Sequence, residues 1–121
     1  MSAITAEKIG EILVVGFTDT KILDSQRIEQ IGDELQKVIA QATDKKLLCS
    51  FRGVSFMSSP MVTKLLQLHK ACKGAGVTLK FSDISPNMME VFRITNLNKM
   101  FDIQTDEAAA VKSFNKKGWF G

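Results

Sequence analysis

At 121 residues the chain has the size of one domain, and a chain this long buries about two-thirds of its unfolded surface, enough for a core without disulfide or metal. Hydrophobic residues at 45% and charged residues at 24% exclude disorder, and no apolar run nears the roughly 18 residues of a membrane span. The net charge of +3 is spread among acids, as with Lys37 beside Asp33 and Glu34, which excludes a basic stripe for nucleic acid. The opening residues carry no stretch of signal-peptide type, so a cytoplasmic location without membrane insertion is expected.

In chain order, Ile4–Ile9 and Ile12–Phe17 flank Gly10-Glu11 and read as an antiparallel hairpin. The second run is apolar at successive positions and is expected inside the sheet, covered on both faces. Thr18–Leu23 reads as a short connection. Asp24 or Ser25 can cap a helix on which Ile28, Ile31, Leu35, Val38 and Ile39 recur at helical spacing. Leu47–Phe51 reads as a central strand. A second helix begins at Pro60, with Met61, Leu65, Leu68 and Cys72 as its inner stripe, and stops at Gly74-Ala75-Gly76. Val77–Phe81 alternates as a strand with one buried and one polar face. Ser85-Pro86 opens a third helix with Met89, Phe92 and Leu97 inward, and Met100–Ile103 reads as the last strand. Asp106 caps a final helix through Ala108, Val111 and Phe114. These elements predict one α/β domain, with a mixed β-sheet, an N-terminal hairpin and about four helices. The domain is expected to fill residues 1–121, with its core at about 4–114 and a C-terminal tail at 115–121. In that tail Trp119 and Phe120, each able to bury about 150 Å², are expected to dock on the domain or on a second copy.

Enzyme signatures are missing from the sequence. It has no glycine-rich phosphate loop, nucleophile elbow or paired helical histidines. Gly74-Ala75-Gly76 follows a helix instead of opening one, so it is a helix stop. A Ser59–His69 dyad would have to bridge ten residues of helix, roughly 15 Å. His69, Cys72 and Cys49 could supply three metal ligands, but no fourth and no repeated spacing accompany them, so packing is the expected role. Neither cofactor nor metal is expected. The segment that stands out is Val54–Pro60, where Ser58 and Ser59 lie on the turn from the central strand into the second helix. Sites gather at the carboxyl ends of such strands. Equally, a serine at the N-cap followed by proline at N1 is how helices begin, as this chain repeats at Ser85-Pro86.

The series Gly53-Val54-Ser55-Phe56-Met57-Ser58-Ser59, then Leu65-Leu66, Leu79–Pro86, Glu90-Val91-Phe92, Asn96-Leu97, Phe101-Asp102-Ile103 and Asp106–Ala109 resembles the STAS domain of bacterial anti-sigma-factor antagonists. The resemblance covers nearly the whole chain and lies in the order of the pieces. It implies a protein–protein interaction module, not an enzyme, that binds a kinase-like anti-sigma factor and is gated by serine phosphorylation in partner-switching control of transcription. In that family the turn reads Phe-Met-Asp-Ser-Ser/Thr-Gly-Leu. Carried over without a gap, the phosphorylated serine falls on Ser59, the aspartate on Ser58, the second hydroxyl on Pro60 and the glycine on Met61. Met57, Ser58, Ser59, Pro60 and Lys64 are then the expected partner-binding turn, with Lys64 a turn into the helix as a neighbour for the phosphate. The altered turn also fits a non-phosphorylated adaptor subunit of a larger regulatory or transporter assembly.

Overall fold

The computed structural model describes residues 2–115. Strand β1 (Ile4–Ile9) turns at Gly10 and Glu11 into β2 (Ile12–Phe17), and the two pair antiparallel with Ile9 opposite Ile12. Gly10 takes φ +60°, the left-handed conformation that a two-residue hairpin turn needs. A two-residue strand, β3 (Lys21–Ile22), precedes helix α1 (Ser25–Gln41), which the Asp24 carboxylate caps by accepting from the Arg27 N–H at 2.9 Å. Then follow β4 (Lys46–Ser50), another two-residue strand β5 (Phe56–Met57), helix α2 (Ser59–Ala75) and β6 (Thr78–Ser82). The described residues end with α3 (Pro86–Ile94), α4 (Leu97–Met100), β7 (Ile103–Gln104) and α5 (Glu107–Asn115).

The main sheet runs β1-β2-β4-β6-β7, parallel from β2 onward, while β3 and β5 form a small parallel ribbon of their own. Each new parallel strand is added on the same side of the last. Right-handed crossovers therefore carry every connecting helix to one face. There α1, α2 and α3 bury Ile31, Leu35, Met61, Leu65, Leu68 and Phe92 against Leu13, Val15, Leu47, Cys49 and Phe81. Among the described residues the opposite face receives α5 alone, whose Ala110 and Phe114 cover Ile12, Val14 and Leu48. The successive burial of Ile12 through Val15 thus has its cause: alternate residues feed two different clusters. Lys80, on the polar face of β6, is not left wet. Its ammonium bonds Asp102 at 2.8 Å and lies 5.2 Å from the centre of the Phe114 ring.

The mixed sheet, its N-terminal hairpin and about four helices are as expected, and the differences are local. The described residues hold five helices, because the expected third helix breaks. The Thr95 hydroxyl donates back to the Val91 carbonyl at 2.8 Å, and Asn96 turns left-handed at φ +63°. Met88, not Met89, is the buried methionine of α3, and Met89 and Leu97 are partly buried against the core. The two methionines stand three and four residues before Phe92, spacings that share a helix face, so sequence alone could not choose between them. The last strand is Ile103–Gln104, since α4 consumes Met100 and Phe101 turns into the core, 4.8 Å ring to ring from Phe81. Thr18–Leu23 is not bare connection, because it contains β3. The expected docking of Trp119 and Phe120 lies outside the described residues.

Candidate functional site

The turn before α2 is built by pinning it from both sides. After β4, Phe51 donates its N–H to the Ser82 carbonyl at 2.9 Å, and Val54 folds back onto the Phe51 carbonyl at 2.9 Å. Ser55 N–H reaches the Thr20 carbonyl at 2.8 Å and Ser58 N–H the Ile22 carbonyl at 3.0 Å, bracketing the β3–β5 pairing of Lys21 with Phe56 and Ile22 with Met57. From the other side the Ser85 hydroxyl donates to the Ser55 carbonyl at 2.9 Å while accepting from Met88 N–H, so the cap of α3 also holds this loop. Val54 and Met57 point into the core at 4% and 2% exposure. Burying two such side chains anchors the segment, so the residues after them emerge in a fixed place.

Ser58 is the N-cap of α2, with φ −82° and ψ 166°, but its side chain makes no capping bond and its buried Oγ has no hydrogen-bond partner among the described residues. Ser59 is the first helical residue, which puts Pro60 at the second position and not the first. Both are exposed. The Ser59 carbonyl accepts from Thr63 Oγ1 at 3.3 Å, and its own hydroxyl has no hydrogen bond among the described residues. The first-turn N–H groups of a helix normally point outward unpaired. Here Pro60 has none, and Met61 N–H donates to the Ser58 carbonyl at 2.9 Å. Met61 is fully buried, which uses the position as core. Lys64 leaves this group altogether. It crosses to α1, where its ammonium bonds Glu29 at 3.0 Å and its stem lies over Gly32; a Cβ built at Gly32 would stand 2.8 Å from Lys64 Cδ. The turn therefore brings Ser59 and Pro60 to the surface, holds Met57 and the Ser58 hydroxyl beneath, and turns Lys64 away.

Two exposed apolar side chains that the sequence did not single out flank the turn: Phe56 on β5 at 40% exposure and Leu23, just after β3, at 52%. Two-residue strands are too short to show a period, so nothing in the sequence announced that β3 and β5 pair. No group of metal-ligating side chains gathers among the described residues. His69 packs edge-on to Phe101 at 5.6 Å, and Cys49 and Cys72 are buried free thiols. Burial pushes both thiols up, Cys72 to about 11. Among the described residues no helix is long and apolar enough to cross a membrane. The exposed turn offers a hydroxyl and an apolar rim, an arrangement suited to contact and to modification.

A family model for the STAS domain matches residues 3–110. Among solved structures, an anti-sigma-factor antagonist (STAS) domain protein of Planctomyces limnophilus superposes with a TM-score of 0.84 at 18% identity, over 93% of this chain and 98% of that one. The RsbS protein of Moorella thermoacetica, carrying a serine-to-glutamate substitution, gives 0.79 at 15% identity over 94% and 96%. The Bacillus cell-fate determinant SpoIIAA in its phosphorylated form gives 0.67 at 22% identity over 92% and 99%.

Proposed function

The chain belongs to the STAS domain family, and on that premise we propose that it is a protein–protein interaction module of the anti-sigma-factor-antagonist type, binding a serine-kinase anti-sigma factor or a related regulator and gated at Ser59. The observation that carries this reading is the free, exposed hydroxyl of Ser59 on an otherwise pinned turn. A phosphoryl group there would add about −1.5 to −2 charges. Proline and the Met61–Ser58 bond leave little donor capacity for it, so only the dipole end of α2 would welcome it. The fold should hardly notice the phosphate. A partner seated on Leu23, Phe56 and Ser59 would meet a solvated dianion where it had met a neutral rim, and would lose both contact and desolvated area. One of the similar structures is a phosphorylated SpoIIAA, which supports phosphorylation as compatible with this kind of fold.

The departures at Ser58, Pro60 and Met61 favour a second reading, a non-phosphorylated adaptor subunit. The two separate cleanly. Incubation with ATP and a serine kinase encoded beside this gene should add one phosphate at Ser59, read by intact mass and peptide mapping. Ser59→Ala should still capture that kinase, and Ser59→Asp should lose most of the capture. Equal capture by the two variants, or no mass increase, would assign the chain to the adaptor class.

A further inference from the structure

Helix α2 carries Lys64, His69, Lys70 and Lys73 and not one acidic residue among its 17. Lys64 is spent on Glu29, while Lys70, Lys73 and Lys99 of α4 have no ion pair among the described residues. Between α2 and α4 lies a groove of about 450 Å³, lined by Thr63, Leu66, His69, Lys70, Lys73 and Met100, with Gln67 at its wall. Met100 is 50% exposed, a large apolar side chain left standing beside two unpaired ammonium groups. We propose that this groove docks an acidic amphipathic segment of a partner protein, an apolar side chain seating between Leu66 and Met100 and carboxylates meeting Lys70 and Lys73.

Charge complementarity selects the sign of the occupant, and the apolar floor selects its class. A single-stranded nucleic acid would call for flat exposed rings on which bases stack, whereas the one ring among the described lining residues, His69, stands edge-on against Phe101. An amphipathic helix laid in a groove needs an apolar seat with charges at its rim, which is this pattern. The inference rests on the reading of the chain as an interaction module and adds a link to Ser59. Thr63, at one end of the groove, is one turn from Ser59, about 6 Å along the axis, inside a Debye length of about 8 Å. Lys73 is about 21 Å away. A phosphate on Ser59 would therefore repel only the near end of a docked acidic segment.

The probe is a synthetic amphipathic helix with leucine and glutamate at helical spacing, titrated into isotope-labelled protein, beside its glutamine counterpart. Amide shifts should cluster at Thr63, Leu66, His69, Lys70 and Met100, and affinity should fall as salt rises. The glutamine peptide should bind about tenfold more weakly or worse, as should the glutamate peptide to the Lys70→Glu, Lys73→Glu variant. Lys70→Gln alone gives a smaller loss, and the amide spectrum reports whether either variant is folded. Scattered shifts, equal binding of both peptides, or tighter binding of an oligonucleotide or an anionic phosphatidylserine vesicle at the same residues would overturn the proposal. Phosphate transfer to Ser59, assayed on the same protein, is a separate readout: peptide failure with intact transfer removes the groove and keeps the switch, and the converse removes the switch and keeps the groove.

Discussion

The two serines of the α2 turn sit one residue apart and face different physics. Among the described residues the buried Ser58 hydroxyl finds no partner, and the Ser59 hydroxyl stands free in water. A buried, unmatched hydroxyl costs free energy, so Ser58→Ala should be neutral or stabilising, although a capping serine would lose about 1 kcal/mol on the same change. Ser85→Ala provides the contrast. It removes a real cap and unpairs the Ser55 carbonyl, and should cost about 1–2 kcal/mol. Urea unfolding of the two variants is the check, and equal losses would mean that Ser58 caps α2 after all. The sequence pointed to the Ser58–Pro60 turn and not to this division of labour. A one-residue shift of the helix start decides which hydroxyl is buried, and Ser-Ser-Pro reads the same either way. The resemblance that set Lys64 beside Ser59 likewise could not see Gly32, whose missing side chain on a helix distant in sequence gives the lysine its path to Glu29.

Among elements, α2 was the most legible, because four of its buried residues follow helical spacing through several turns and both ends are marked. Pro60 and Gly76 provide those marks by different means. Proline lacks an N–H where the first turn needs none, and Gly76 takes φ +72°, where a Cβ is strained. Pro60→Gly should lose about 1 kcal/mol through the freer unfolded chain, and Gly76→Ala about 1 kcal/mol through the left-handed backbone. Thermal melts of both variants should thus fall by similar amounts for unrelated reasons. A rise for Pro60→Gly would show that the proline is strained in place. The short ribbon of β3 and β5 stayed unread because two residues carry no period. It exists only through tertiary pairing, which is also why the exposed rim of Leu23 and Phe56 had no sequence signal.

At the scale of the whole molecule, the acid limb of stability has a named contributor. Partial burial pushes Glu34 up, but hydrogen bonds from the Ser2 hydroxyl at 2.6 Å, from Gln30 and from Ala3 N–H outweigh it and hold the carboxyl below its ordinary range. A depressed carboxyl stabilises above its unfolded value, and that contribution is lost as pH falls through the folded one. Glu34→Gln should therefore be less stable at neutral pH and lose less stability than the parent on acidification, as denaturant midpoints between neutral and mildly acid pH would report. A parallel pH profile for parent and variant would rule this out. The two faces of the sheet should also differ in fragility. Phe114→Ala strips the larger of the two buried α5 side chains from Ile12, Val14 and Leu48 and should cost about 3–5 kcal/mol; a loss under 1 kcal/mol would mean that α5 is not what covers that face. The same asymmetry sets a timetable for synthesis. The sheet and its first layer of helices are complete once Gln104 has been made, but Ile12, Val14 and Leu48 stay uncovered until residues 107–115 follow. In that interval a nascent chain offers a greasy sheet face to whatever meets it, so the step most exposed to chaperones and to aggregation is the emergence of α5, not the assembly of the turn before α2.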